Sequence, residues 1–107
     1  MKIDIGQLEF IDQTLRTILV ETEELLGEEQ TVTSIYRPGD AGVHGTIPVR
    51  GVDWRCRDKE KGDKIASMIN SMWQYDPGRA DKKCCICHDV GLGLHLHIQS
   101  HPRTVRV

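Results

Sequence analysis

The segment His88–His101, "HDVGLGLHLHIQSH", holds four of the chain's five histidines, and His95 and His97 stand one residue apart within it. Its second half alternates strictly. Leu94, Leu96 and Ile98 fall on one parity, and His95, His97 and Gln99 fall on the other. In a strand, alternate side chains share a face, so this period of two predicts a half-buried strand with an apolar core face and an imidazole face. Along such a strand His95 and His97 stand about 6.6 Å apart. That spacing disfavours both rings binding one metal ion. It suits one ring as a ligand and the other as its catalytic or supporting partner.

Outward from this strand the rest of the chain reads as a small α+β domain spanning residues 1–107. Leu8, Ile11, Leu15, Ile18, Leu19 and Leu25/Leu26 recur at helical spacing and Gly27 follows as a stop, predicting a helix over Gln7–Leu26. Thr31–Arg37 is β-branched and aromatic and ends at "PGD", predicting a strand. "AGVHGTIPVRG" is loop-like, and Gly51–Cys56 reads as a second strand with Asp53 and Arg55 opposite Val52, Trp54 and Cys56. Ile65, Met68/Ile69 and Met72/Trp73 stripe a second helix over Asp63–Gln74, and Trp54, Trp73 and Met72 read as core. Two strands, "KCCICHD" and "LHLHIQS", close the chain around "VGLG". The order α-β-β-α-β-β predicts an antiparallel sheet of about four strands with two covering helices.

Composition narrows the function classes. The net charge of −2 and a pI near 6.2 argue against a nucleic-acid surface, as do basic residues interrupted by Asp53 and Asp58. No apolar run approaches the roughly 20 residues that span a bilayer, and "MKIDIGQLEF" has no apolar signal core. The expectation is a cytoplasmic protein as synthesised, with no membrane partner. The four cysteines, Cys56, Cys84, Cys85 and Cys87, are then expected to be reduced. "CCICH" could suggest a second zinc or a redox centre, but structural zinc sites draw pairs from two knuckles and only Cys56 remains as a distant partner. Core packing is the favoured reading of the cluster.

A catalytic zinc site takes about three protein ligands and keeps an open position. Beside the His95/His97 strand, His44 in "GVHG" and Asp53 in "RGVDWR" are the upstream candidates. Two imidazoles and a carboxylate would also suit Fe(II).

With these residues in place, "SIYRPGDAGVHGTIPVRGVDW" followed by "HLHIQ" resembles the LAS group of zinc peptidases. It looks closest to the M15 branch of D-Ala-D-Ala carboxypeptidases and L-alanyl-D-glutamate endopeptidases, which share the hedgehog-type fold. The likeness covers Thr31–Gln99, about two thirds of the chain. It implies one Zn2+ held by His44, Asp53 and His97, with His95 acting on the attacking water or the tetrahedral intermediate. It implies that Arg37 holds a substrate carbonyl or carboxylate, with Ser34 and Gln99 as further substrate-side positions. The implied activity is hydrolysis of amide bonds in peptidoglycan stem or cross-link peptides by a zinc-activated water, in a phage, prophage or bacterial setting.

Two positions depart from the family pattern. His44 and Asp53 lie nine apart rather than seven, which puts two extra residues in "GTIPVR". Leu94 occupies the place, three before the last ligand, where many carboxypeptidases carry an acid. The second departure keeps open a zinc-binding module without catalysis that binds a peptide or protein partner. Arg50 is assigned a structural role, His88 and Asp89 a polar turn, and His101 the surface.

Overall fold

Alternation along "LHLHIQ" places Leu96 and Ile98 in full burial, and the rest of the sheet assembles around that strand. The computed structural model describes residues 1–91 and 93–107. Its main elements are α1 (Gln13–Leu26), β1 (Val32–Ser34), β2 (Gly51–Arg55), α2 (Lys59–Met72), β3 (Trp73–Gln74), β4 (Cys85–Asp89), β5 (Leu94–Gln99) and β6 (Val105–Arg106). A four-stranded sheet runs in the order β1-β2-β5-β4 with every neighbour antiparallel. The α+β architecture expected from the sequence is therefore present.

One face of the sheet is the core. Val52, Trp54, Leu96 and Ile98 are fully buried there, joined by Cys85 and Cys87. Leu15, Ile18 and Leu19 of α1 and Ile65, Ala66 and Ile69 of α2 complete the same cluster. The edge strand β4 is not left bare. Asn70 of α2 makes a two-way bridge to Cys85, its Nδ2 donating to the carbonyl (2.9 Å) and its Oδ1 accepting from the amide (3.0 Å). Lys59 Nζ donates to Cys87 O at 3.0 Å. Satisfying these outward-facing groups removes the template that an open edge offers to another chain.

Several boundaries differ from expectation for local reasons. The helix expected over Gln7–Leu26 is broken: a 3-10 helix covers Ile5–Phe10 and α1 starts at Gln13. Asp12 makes the break by capping α1, its Oδ2 accepting from Leu15 N at 3.2 Å. The backbone around it pairs with Val49 (Asp12 N to Val49 O, 2.9 Å). β1 ends at Ser34 rather than Arg37, because Tyr36 N turns to Gln7 Oε1 (3.1 Å). α2 begins four residues early, at Lys59, where Asp58 caps Glu60 N and Lys61 N. The β3–β6 pair was not anticipated; it is held by Arg106, which stacks 4.3 Å over Trp73 and ion-pairs with Glu21. Arg50 is structural as expected, bridging to Asp12 at 3.1 Å. Among the described residues no helix is long and apolar enough to cross a membrane.

The cysteines pack as small hydrophobes. All four are free and buried, and burial pushes the Cys84 thiol up to about 11. Gly62 on α2 is the residue they require, since a Cβ there would overlap the sulfurs of both Cys56 and Cys87. In an open helix Gly→Ala would stabilise by about 1 kcal/mol. Here overpacking costs about 1–3 kcal/mol and wins. Gly62→Ala should therefore lower the urea midpoint, and Cys56→Ala in the same chain should recover part of the loss.

Candidate metal centre

The second face of the sheet carries the polar residues, and strand register decides which of them meet. Asp53 lies opposite His97, Arg55 opposite His95, and Gly51 opposite Gln99. On the other side of β5, His88 of β4 is also the cross-strand partner of His95. Directly opposed residues share a face, so Arg55, His95 and His88 form one row across the sheet. Asp53 and His97 form the next.

His44 arrives from outside the sheet, on the loop between β1 and β2. Backbone bonds fold this loop over the polar face: Arg37 N to His44 O at 2.7 Å, Gly45 N to Gly42 O at 3.0 Å, and Arg50 N to Val43 O at 3.3 Å. Gly51 is what lets it descend. A Cβ at that position would overlap Val43 Cγ2 and lie 3.2 Å from His97 Cε1. The loop leaves His44 only 2 % exposed.

The hydrogen bonds around the three rings assign their tautomers. His44 Nδ1 donates to Ile35 O (2.5 Å), and His95 Nδ1 donates to Gly93 O (3.0 Å). His97 Nε2 donates to Gln99 Oε1 (3.1 Å), whose own NH2 donates to Lys83 O (2.9 Å). Each ring thus has one nitrogen occupied by an oxygen acceptor, and its other nitrogen faces Asp53, as an N–H donating to the carboxylate in the metal-free site or as a lone pair once a metal binds.

All three of these nitrogens converge on one carboxylate oxygen. Asp53 Oδ1 lies 3.1 Å from His97 Nδ1, 3.5 Å from His44 Nε2 and 3.8 Å from His95 Nε2. His44 Nε2 is buried without a hydrogen-bond partner. At these distances the carboxylate is satisfied either by protons on the rings or by a metal ion among them. Burial alone would raise the Asp53 carboxyl, but His44 and His97 more than offset it and hold it well below the usual carboxylate range. Asp53 is therefore an anion at neutral pH.

The spacing suits a metal ion. In a tetrahedral zinc site with bonds of about 2.0–2.2 Å, neighbouring ligand atoms lie about 3.3–3.6 Å apart. The ligand atoms of His44, Asp53 and His97 all lie within 4.8 Å of one another, so this group could hold a metal ion. His95 falls outside that set, which separates the two rings of the His-Leu-His pair as their 6.6 Å strand spacing implied. Among the described residues the cysteine cluster forms no comparable group.

A cleft of about 550 Å³ opens beside the cluster, lined by Ser34, Arg37, Asp53, Arg55, Arg57, His88, His95 and His97 among others. Arg37 is exposed on its wall and tied to Asp40 at 3.4 Å. Gln99 is spent on His97 and Lys83 and does not line the cleft. His88, read from sequence as a polar turn residue capping the "KCCICHD" strand, lies within β4 with its ring 4.8 Å from that of His95, edge to face. Desolvation and then the neighbouring imidazoles push its pKa below the ordinary histidine value. Hairpin counting could have found it: with Asp89 closing on Leu94, His88 must face His95.

The dependence on Gly51 is testable. Gly51→Ala should leave the sheet folded but weaken zinc binding by about tenfold or more, by lifting His44 away from Asp53. Removing the obstructing methyls with Val43→Ala in the same chain should restore part of the affinity, as read by competition with a chromogenic chelator. No family model, curated protein or solved structure matches this chain.

Proposed function

We propose that this chain is a zinc-dependent peptidase-like domain that hydrolyses amide bonds, with peptidoglycan peptides as the substrate class. The observation that carries the reading is the ligand set. Two imidazoles, each braced by its own hydrogen bond, and one carboxylate converge with His97 and Asp53 lining an open cleft and His44 buried behind them, rather than in a closed four-ligand cage. That donor set suits zinc chemistry, and three ligands leave a position for substrate. Bound there, zinc would act as a Lewis acid and bring the pKa of a coordinated water toward 7. The choice of cell-wall peptides rests on the resemblance of Ser34–Trp54 and His95–Gln99 to the M15 peptidases, with which an α+β fold is compatible. The same resemblance supplies the expected phage, prophage or bacterial setting.

The protein's own residues divide the work. His44, Asp53 and His97 hold the ion, and Gln99 fixes His97 in the tautomer that presents Nδ1. His95 presents a free Nε2 to the cleft, because its Nδ1–H is committed to Gly93 O. It is the group placed to take a proton during attack on the amide carbonyl and to return it to the leaving amine. His88, packed edge to face on His95, restricts how that ring can turn. Arg37, with Ser34 beside it on the cleft wall, offers a guanidinium to a substrate carbonyl or carboxylate.

One observation favours a second reading, a zinc-binding module without turnover. Leu94, half-buried on the cleft wall, puts an apolar side chain where an acidic base would serve hydrolysis. His95→Ala separates the two. With zinc still bound at one ion per chain, the variant should lose about 100-fold or more of the rate on a stem-peptide substrate. Wild-type protein that holds zinc and binds such peptides without cleaving them would favour the binding module instead.

A further inference from the structure

The cleft is strongly unbalanced in charge. Its lining includes three arginines, Arg37, Arg55 and Arg57, and a single acid, Asp53, which is already engaged by the imidazoles. Arg37 has Asp40 as a partner, and elsewhere Arg50, Arg79 and Arg106 have Asp12, Asp76 and Glu21. Among the described residues no carboxylate lies within ion-pairing distance of Arg55 or Arg57. Arg16 and Arg103 also lack one, but neither lines this cleft.

The acids that could have neutralised the pair are occupied elsewhere. Asp58 caps α2 through Glu60 N and Lys61 N, and Glu28 pairs with Lys61. Both arginines are exposed, so their guanidinium groups are free to meet a ligand. The position of Arg55 is fixed by the sheet. Arg55 follows Asp53 on the same face of β2, about 6.6 Å further along the strand, and stands directly across from His95. Arg57 lies just past the strand end on the same wall of the cleft.

We propose that Arg55 and Arg57 form an anion seat that selects substrates carrying a carboxylate one or two residues from the amide presented to the metal centre. This rests on the peptidase reading for the word substrate, but the seat itself needs only a ligand in the cleft. The distance along β2 from Asp53 to Arg55 matches one to two residues of extended peptide. A planar guanidinium binds a carboxylate through two parallel hydrogen bonds, which gives direction as well as charge. The pair would act in binding rather than at the reacting atoms, so its loss should appear in KM far more than in kcat.

The test uses the full zinc-loaded chain and three probes: acetyl-Ala-Ala with a free carboxylate, its carboxamide, and acetyl-Ala-Glu carboxamide. Binding is followed by NMR titration of the histidine and arginine side-chain signals. The expected result is that at least one acid binds about tenfold or more tightly than the neutral carboxamide. Which acid does so tells whether the carboxylate is terminal or on a side chain. In Arg55→Gln/Arg57→Gln, with zinc content unchanged, the preference should disappear; Arg55→Lys/Arg57→Lys, keeping charge without the planar fork, should retain part of it. Equal binding of acids and carboxamide by the wild type overturns the proposal. So does a preference that survives in the glutamine variant, since that places the carboxylate on the metal or on Arg37. Because binding is read without turnover, failure of the peptidase reading shows separately, as intact probes in the presence of an intact acid preference.

Discussion

The antiparallel ladder between β2 and β5 is the constraint on which the rest depends. It pairs Val52 with Ile98 and Trp54 with Leu96 in the core while pairing Asp53 with His97 on the opposite face. Because the side-chain period is two, a slip of one residue would expose Trp54 and bury the carboxylate against apolar neighbours. Core packing therefore enforces the geometry of the ligands. The same alternation that excludes water from Leu96 presents His97 to Asp53, and no separate device is needed to align them.

What the ladder cannot supply is His44, and the loop that carries it shows how a site is completed at the expense of local freedom. The Ile35 carbonyl takes the His44 Nδ1 proton, so the buried Nε2, which has no hydrogen-bond partner, is the nitrogen turned toward Asp53. A buried polar atom left without a partner is costly. An ion bound only by the folded chain would relieve it, and by linkage would stabilise the native state in proportion to its affinity and concentration. The site and the loop would then be mutually dependent: the loop delivers a ligand, and the ion holds the loop down.

Much of this was legible in the sequence, and the parts that were not share a physical cause. Strict alternation in "LHLHIQ" and "GVDWRC" announced both strands and their faces, and the helical stripes announced α1 and α2. The α1 boundary was misjudged because Ile11 continues the apolar spacing while its backbone pairs with Val49, a contact remote in sequence. β1 was drawn too long because β-branched residues favour strands, yet Tyr36 is diverted by the Gln7 side chain. β3 and β6 are two-residue strands, too short to carry a period. His88 was assigned to a polar turn although the strand "KCCICHD" already contained it, and its pairing with His95 follows from counting back from the turn. The arginines beside the cleft were visible only as scattered charges, since which of them lack partners depends on how Asp58 and Glu28 are used.

The cysteines and the histidines offer two competing homes for a soft or borderline metal, and the structure separates them by environment. Cys84, Cys85 and Cys87 are buried, and desolvation pushes their thiols up, which keeps them protonated. His97 and Asp53 line a cleft with His44 buried behind them, and the three ligand atoms already converge. X-ray absorption at the zinc edge of the zinc-loaded chain distinguishes these homes most directly. A first coordination sphere of nitrogen and oxygen only, near 2.0–2.1 Å and with the outer-shell scattering of two imidazoles, is the predicted result. Sulfur scatterers near 2.3 Å would place the ion on Cys85 and Cys87 and contradict the assignment of His44, Asp53 and His97.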